Sequence, residues 1–239
     1  MSIDNLNALK ERLFSLQDEG YRDFTSVGVP NMPISRIIGI RIPQLRALAL
    51  DIFKNEPETV EEFKSRAPHF YMEEETLHMF FIDLQKDHEK ILADLDEFLP
   101  TVTNWSTCDS GKAKALLNHP DATLKYVDKW LDSRETYAVR YGIKTLMTNF
   151  LKDEFKEEHM ERVSAFATDE YYVQMMVAWY FAESMVHQRD TALKYFEDYR
   201  LEPQTHNTAI QKVVDSRRIS DEDKEYVKTL RVPGGGLVR

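Results

Sequence analysis

The chain has 239 residues, a formal net charge of −10 and 42% hydrophobic residues, enough to bury the core of one domain or of two small ones. Eight glycines are too few for an all-β chain, which needs turn glycines at short intervals, and the single Cys108 excludes an intrachain disulfide. No apolar run approaches the roughly 18 residues of a membrane span, so a cytoplasmic protein without a membrane partner is expected. The acidity is local: residues 51–100 hold 14 acids and 5 bases, residues 101–150 hold 5 acids and 7 bases.

The predicted elements are helical from end to end. The N-terminal stretch MSIDNLNALKERLFSLQDEG reads as an amphipathic helix with charges throughout, unlike a signal peptide. IPQLRALALDIF follows from Ile42, with Pro43 suited to a first turn. Helical spacing continues in YMEEETLHMFFIDLQ from Tyr71, DHEKILADLDEFLPTV from Asp87 and NWSTCDSGKAKALLNH from Asn104. It resumes in PDATLKYVDKWLDS, ETYAVRYGIKTLMTNFL, EEHMERVSAFAT and EYYVQMMVAWYFAESMV, then in RDTALKYFEDY, EPQTHNTAIQKVV and DEDKEYVKTLR. Short breaks marked by Asp, Ser, Asn or Pro suit antiparallel neighbours.

Every second helix starts near Tyr71, Asn104, Glu135, Glu170 and Glu202, a recurrence of about 31–35 residues. The pattern predicts an all-α fold, a curved solenoid of antiparallel HEAT-like helix pairs, in which each pair buries its apolar face on its neighbours. A single domain over residues 1–231 is expected, and the glycine-rich residues 232–239 are expected to be a disordered tail. The helix from Glu170 is apolar nearly all round, as an inner helix would be.

Four residues on alternate helices stand out. Trp105 and Asp109 are four apart and share one helix face. Arg140 is embedded in the apolar YAVRYGIKTLM, and Trp179 in VQMMVAWYFAE. Singly, each fits a structural role: tryptophans pack cores, an arginine among apolar residues snorkels, and an aspartate near a helix start complements the dipole. Together they form an aromatic–carboxylate–cation set expected to open on one concave surface. A basic rim of Arg41, Arg46, Lys112, Lys114, Arg140 and Lys144 would favour DNA. An acidic rim of Glu73, Glu74 and Glu75 would favour a scaffold without a nucleic-acid role.

The chain resembles the HEAT-like repeat DNA alkylation-repair glycosylases, the AlkD-type enzymes, over nearly its whole length. IIGIRIPQLRAL is similar to the family's N-terminal stretch at Gly39, Arg41, Pro43 and Arg46. NWSTCDS resembles its W-x-x-x-D element at Trp105 and Asp109, and NHPDATLKYVDKWLDS, with His119, Pro120 and Trp130, resembles the next helix. The family's arginine falls at Arg140 and its second tryptophan at Trp179.

The resemblance implies excision of cationic N-alkylpurines such as 3-methyladenine and 7-methylguanine from duplex DNA, without metal or organic cofactor. In it Asp109 would stabilise an oxocarbenium-like sugar, Trp105 and Trp179 would face the sugar and backbone, and Arg140 would hold a phosphate. Met175, Ala182 and Asn207 stand where the family carries basic residues. Weak, salt-sensitive binding of duplex DNA by a monomer is therefore expected. The alternative is a non-catalytic HEAT-like protein that binds branched DNA or a protein partner on its concave face.

Overall fold

The computed structural model describes residues 2–112 and 114–238, which are helical with connecting turns and contain no strand. They form two compact units divided between Thr123 and Leu124.

The first unit contains α1 (Ser2–Ser15), α2 (Glu19–Gly28), α3 (Ile42–Asn55), α4 (Pro57–Lys64), α5 (Met72–Leu84), α6 (His88–Phe98) and α7 (Trp105–Ser110). Short 3-10 turns cover Ile34–Arg36, Leu99–Thr101 and Lys114–Asn118. In this unit α3, α5 and α7 stack side by side, while α4 packs on α3 and α5, and α6 on α5. Leu45, Ala49 and Ile52 of α3 meet Leu77, Phe80 and Phe81 of α5 in its core, with Leu9 and Leu13 from α1 closing one side.

The second unit holds most of α8 (Pro120–Asp132), then α9 (Thr136–Asn149), α10 (Glu157–Ser164), α11 (Tyr171–His187), α12 (Arg189–Glu197), α13 (Pro203–Asp215) and α14 (Asp221–Thr229). Here α11 lies between α9 and α13, and α12 and α14 pack behind α11 and α13. The side chain of Leu131 and Cβ of Trp130 on α8 approach Gly142 of α9 so closely that an added Cβ would sit 3.1 Å from Leu131. Phe181 of α11 packs on Tyr195 and Phe196 of α12, with ring centroids 5.3 and 6.3 Å apart.

The helix starts have local causes. Tyr71, Asn104, Glu135, Glu170 and Glu202, the starts expected from the sequence, are the residues immediately before α5, α7, α9, α11 and α13. Asp18, Asp87, Asn104 and Ser220 accept backbone N–H groups of the first turns of α2, α6, α7 and α14, satisfying donors that no helix can pair internally. Prolines open α3, α4 and α13, where the missing N–H costs nothing.

Residues 232–238, expected from the sequence to be a tail, lie along α13. Asn207 donates to the Val232 carbonyl at 3.0 Å and accepts its N–H at 2.9 Å, and the Val238 N–H donates to Thr208 Oγ1 at 2.9 Å. Gly234 and Gly236 take positive φ of 77° and 63°, which turns the segment back at little cost. No helix among the described residues is long and apolar enough to cross a membrane.

Candidate functional site

In the first unit the site is built on α7, whose six residues are too few to hold a helix alone. A buried polar network fixes it to α5. Asn104 accepts the Thr107 N–H at 2.8 Å and donates its amide to Glu75 Oε2 at 3.0 Å. Glu75, with no exposed surface, also accepts from Thr103 N at 3.0 Å and Thr103 Oγ1 at 2.6 Å. The Thr76 and Thr107 hydroxyls pair at 3.0 Å. Burial pushes the Glu75 carboxyl pKa up, and the hydrogen bonds from Thr103, the Arg36 charge and the Asn104 amide oppose that rise.

Trp105 and Asp109 are both half-buried on this helix, one turn apart. The Trp105 indole donates to the Gly28 carbonyl at 2.9 Å, across 77 residues of sequence, and its ring rests on the Val29, Met32, Ile37 and Met72 cluster. Arg46 pins the residue after Asp109: its Nη2 donates to the Ser110 carbonyl at 3.0 Å, and its guanidinium lies 3.9 Å over the Phe80 ring. The Lys112 N–H donates to Asp83 Oδ1 at 2.8 Å, and Lys112 and Lys114 are exposed.

The Gly39–Arg41 stretch is a staple of the fold. Gly39 has φ of +91°, and an added Cβ would lie 2.4 Å from the Asp18 carbonyl oxygen, so only glycine fits. Buried Glu73 accepts the N–H groups of Ile38, Gly39 and Ile40 at 2.9, 2.7 and 3.2 Å. Arg41 donates to Asp18 Oδ2 through Nε at 3.2 Å and Nη2 at 2.8 Å, leaving its side chain 57% exposed. The Tyr21 N–H, then Arg41, hold the Asp18 carboxyl below its ordinary pKa. Glu73 and Glu75 are therefore interior acceptors. Glu74 caps α5 by accepting the Tyr71 N–H at 2.9 Å, so the three glutamates form no acidic rim.

In the second unit Arg140 is 5% exposed, and its Nη1 donates to the Tyr172 carbonyl at 2.6 Å, tying α9 to the first turn of α11. Lys144, one turn on, places Nζ 4.8 Å from the Tyr141 ring centroid. On α11, Ala178 and Tyr180 have no exposed surface, while Trp179 between them is 39% exposed. Its ring lines an open groove of about 420 Å³ with Ala182 and Glu183 of α11, Lys212 and Asp215 of α13, and the following Ser216, Arg217 and Arg218.

The first unit thus gathers Trp105, Asp109, Arg46 and Lys112 around α7, and the second carries Arg140 and Trp179 on neighbouring helices. Lys212 and Arg217, which line the Trp179 groove, do not stand out in the sequence, because charges at the end of a helix ordinarily mark a solvated face. The available signal was the position of Lys212 on α13, in the helix layer that also carries Arg140 and Trp179.

Each unit is a helical scaffold whose stacked alternate helices carry the aromatic, acidic and cationic groups. Residues 32–213 match the family model described as DNA alkylation repair enzyme, and the chain belongs to that family, which ties it to the repair of alkylated DNA. The comparison with curated proteins gives no match.

Proposed function

We propose that the protein is a HEAT-like repeat DNA glycosylase that excises cationic N-alkylpurines, 3-methyladenine and 7-methylguanine, from duplex DNA. The observation that carries this reading is Asp109: a carboxylate on a helix too short to stand alone, held in place by a network centred on fully buried Glu75. A buried charge is expensive, and spending one on positioning α7 argues that the place of α7 matters.

An alkylated purine already carries positive charge, so its glycosidic bond is weakened and departure needs no strong acid. Positive charge then develops on the deoxyribose, and a fixed carboxylate stabilises it without reorganising. In this reading Trp105 offers the ring face left open by its bond to Gly28, Trp179 offers its exposed face, and Arg140 and Lys144 hold the backbone. Arg46, Lys112 and Lys114 add positive charge beside α7, while Arg41 is paired with Asp18 in the same unit.

One observation favours the non-catalytic alternative: the Trp105 indole, Arg41, Arg46 and the buried Arg140 all have partners inside the protein, which leaves fewer groups for DNA. Incubation with methylated duplex DNA separates the two. Release of 7-methylguanine above the spontaneous rate is expected; binding without release would leave the non-catalytic reading.

A further inference from the structure

The groove between α11 and α13 reverses the electrostatics of the chain. In a protein of net charge −10, it gathers Lys212, Arg217 and Arg218 against Glu183 and Asp215. Arg218 and Glu183 are paired with each other, and Asp215 accepts the Gln211 amide at 2.9 Å. Lys212 is half-buried, and among the described residues no hydrogen bond or ion pair holds its ammonium group. Burial, then the positive charge of Arg140, depress its pKa, while Asp215 opposes them. A lysine desolvated against a second cation is poorly satisfied by the protein alone, and an anion entering the groove would relieve it. Arg217 is exposed at the mouth of the groove, and the open Trp179 face lies on the opposite wall.

We propose that Lys212 and Arg217 bind a backbone phosphodiester of the DNA strand in this groove, with Trp179 against the adjoining sugar. The inference rests on the glycosylase reading for the identity of the anion. It adds two phosphate contacts from α13 and the turn after it, beside Ala182 of α11, which carries no charge. The site takes phosphate chemistry in either a DNA or a free form, and cations beside an exposed tryptophan face in an open groove suit a nucleic-acid strand.

The test is titration of labelled duplex DNA by fluorescence anisotropy across a salt series, with wild type, Lys212→Gln, Arg217→Gln and Lys212→Arg, and thermal melts alongside. Each Gln variant should bind more weakly and lower the log–log salt slope by about one, while Lys212→Arg keeps the wild-type slope. Wild-type slope and affinity in Lys212→Gln would overturn the proposal while leaving the glycosylase reading intact. No duplex binding by wild type at any salt would overturn both. Inorganic phosphate that raises the melting temperature of wild type but not of Lys212→Gln, with the DNA slope unchanged, would assign the site to free phosphate and overturn the DNA assignment.

Discussion

Replacing Glu75 by Gln perturbs the anchor of α7 while changing almost no volume. One carboxylate oxygen accepts Thr103 Oγ1 at 2.6 Å and Arg36 Nη2 at 3.4 Å; the other accepts Thr103 N and the Asn104 amide, both at 3.0 Å. Glutamine has one acceptor oxygen, so its NH₂ group must face either the Thr103 N–H and the Asn104 amide, or the Arg36 guanidinium with the Thr103 hydroxyl turned to accept. Each buried donor left unpaired costs about 1–3 kcal/mol, and relief of the buried charge returns part of that, giving a net loss of about 2–4 kcal/mol. At about 2–4 °C per kcal/mol for a chain of this size, the melting temperature should fall by about 5–15 °C. Glu74→Gln is the internal control, because Gln serves a capping position nearly as well and should cost less than about 1 kcal/mol. Circular dichroism melts of both variants at neutral pH decide it. An E75Q melt within a degree or two of wild type, or equal losses in the two variants, would refute the anchoring argument.

The buried His69 and His78 rings are joined by a 2.9 Å hydrogen bond, and burial lowers their pKa values from 6.5 to about 4 and about 2. Both groups bind protons more readily when unfolded, so stability is full above about pH 7 and falls as pH drops below 6.5. The loss is about 2 kcal/mol per ring between pH 7 and 5, and a melting temperature flat over that range would contradict it. Gly39→Ala should yield little folded protein, since its Cβ would meet the Asp18 carbonyl and the Arg22 backbone as well as a positive φ; a melt like wild type would contradict this.

What the sequence made legible follows from which signals are local. Helix starts at Asn104 or Glu202 were readable because caps and first-turn prolines act within a few residues. Trp105 and Asp109 share one face of α7 because helical spacing alone decides that. The other end of the Trp105 hydrogen bond lies at Gly28, and no periodicity reveals a partner so far away. The burial of Glu73 and Glu75 is hidden for the same reason: their donors come from Ile38–Ile40 and from Thr103 and Asn104, distant segments that cover them. Asn207, which looked like a lost DNA contact, clamps Val232.

The central claim, that Asp109 stabilises charge on the sugar as an alkylpurine departs, meets its most direct test in single-turnover release of 7-methylguanine from methylated duplex DNA at saturating protein. Asparagine keeps the size of Asp109 and removes its charge. Asp109→Asn should bind DNA and melt as wild type does, yet release base about 10²–10³-fold more slowly, the loss expected for one electrostatic contact to a developing charge. Equal release rates for wild type and Asp109→Asn would contradict the account.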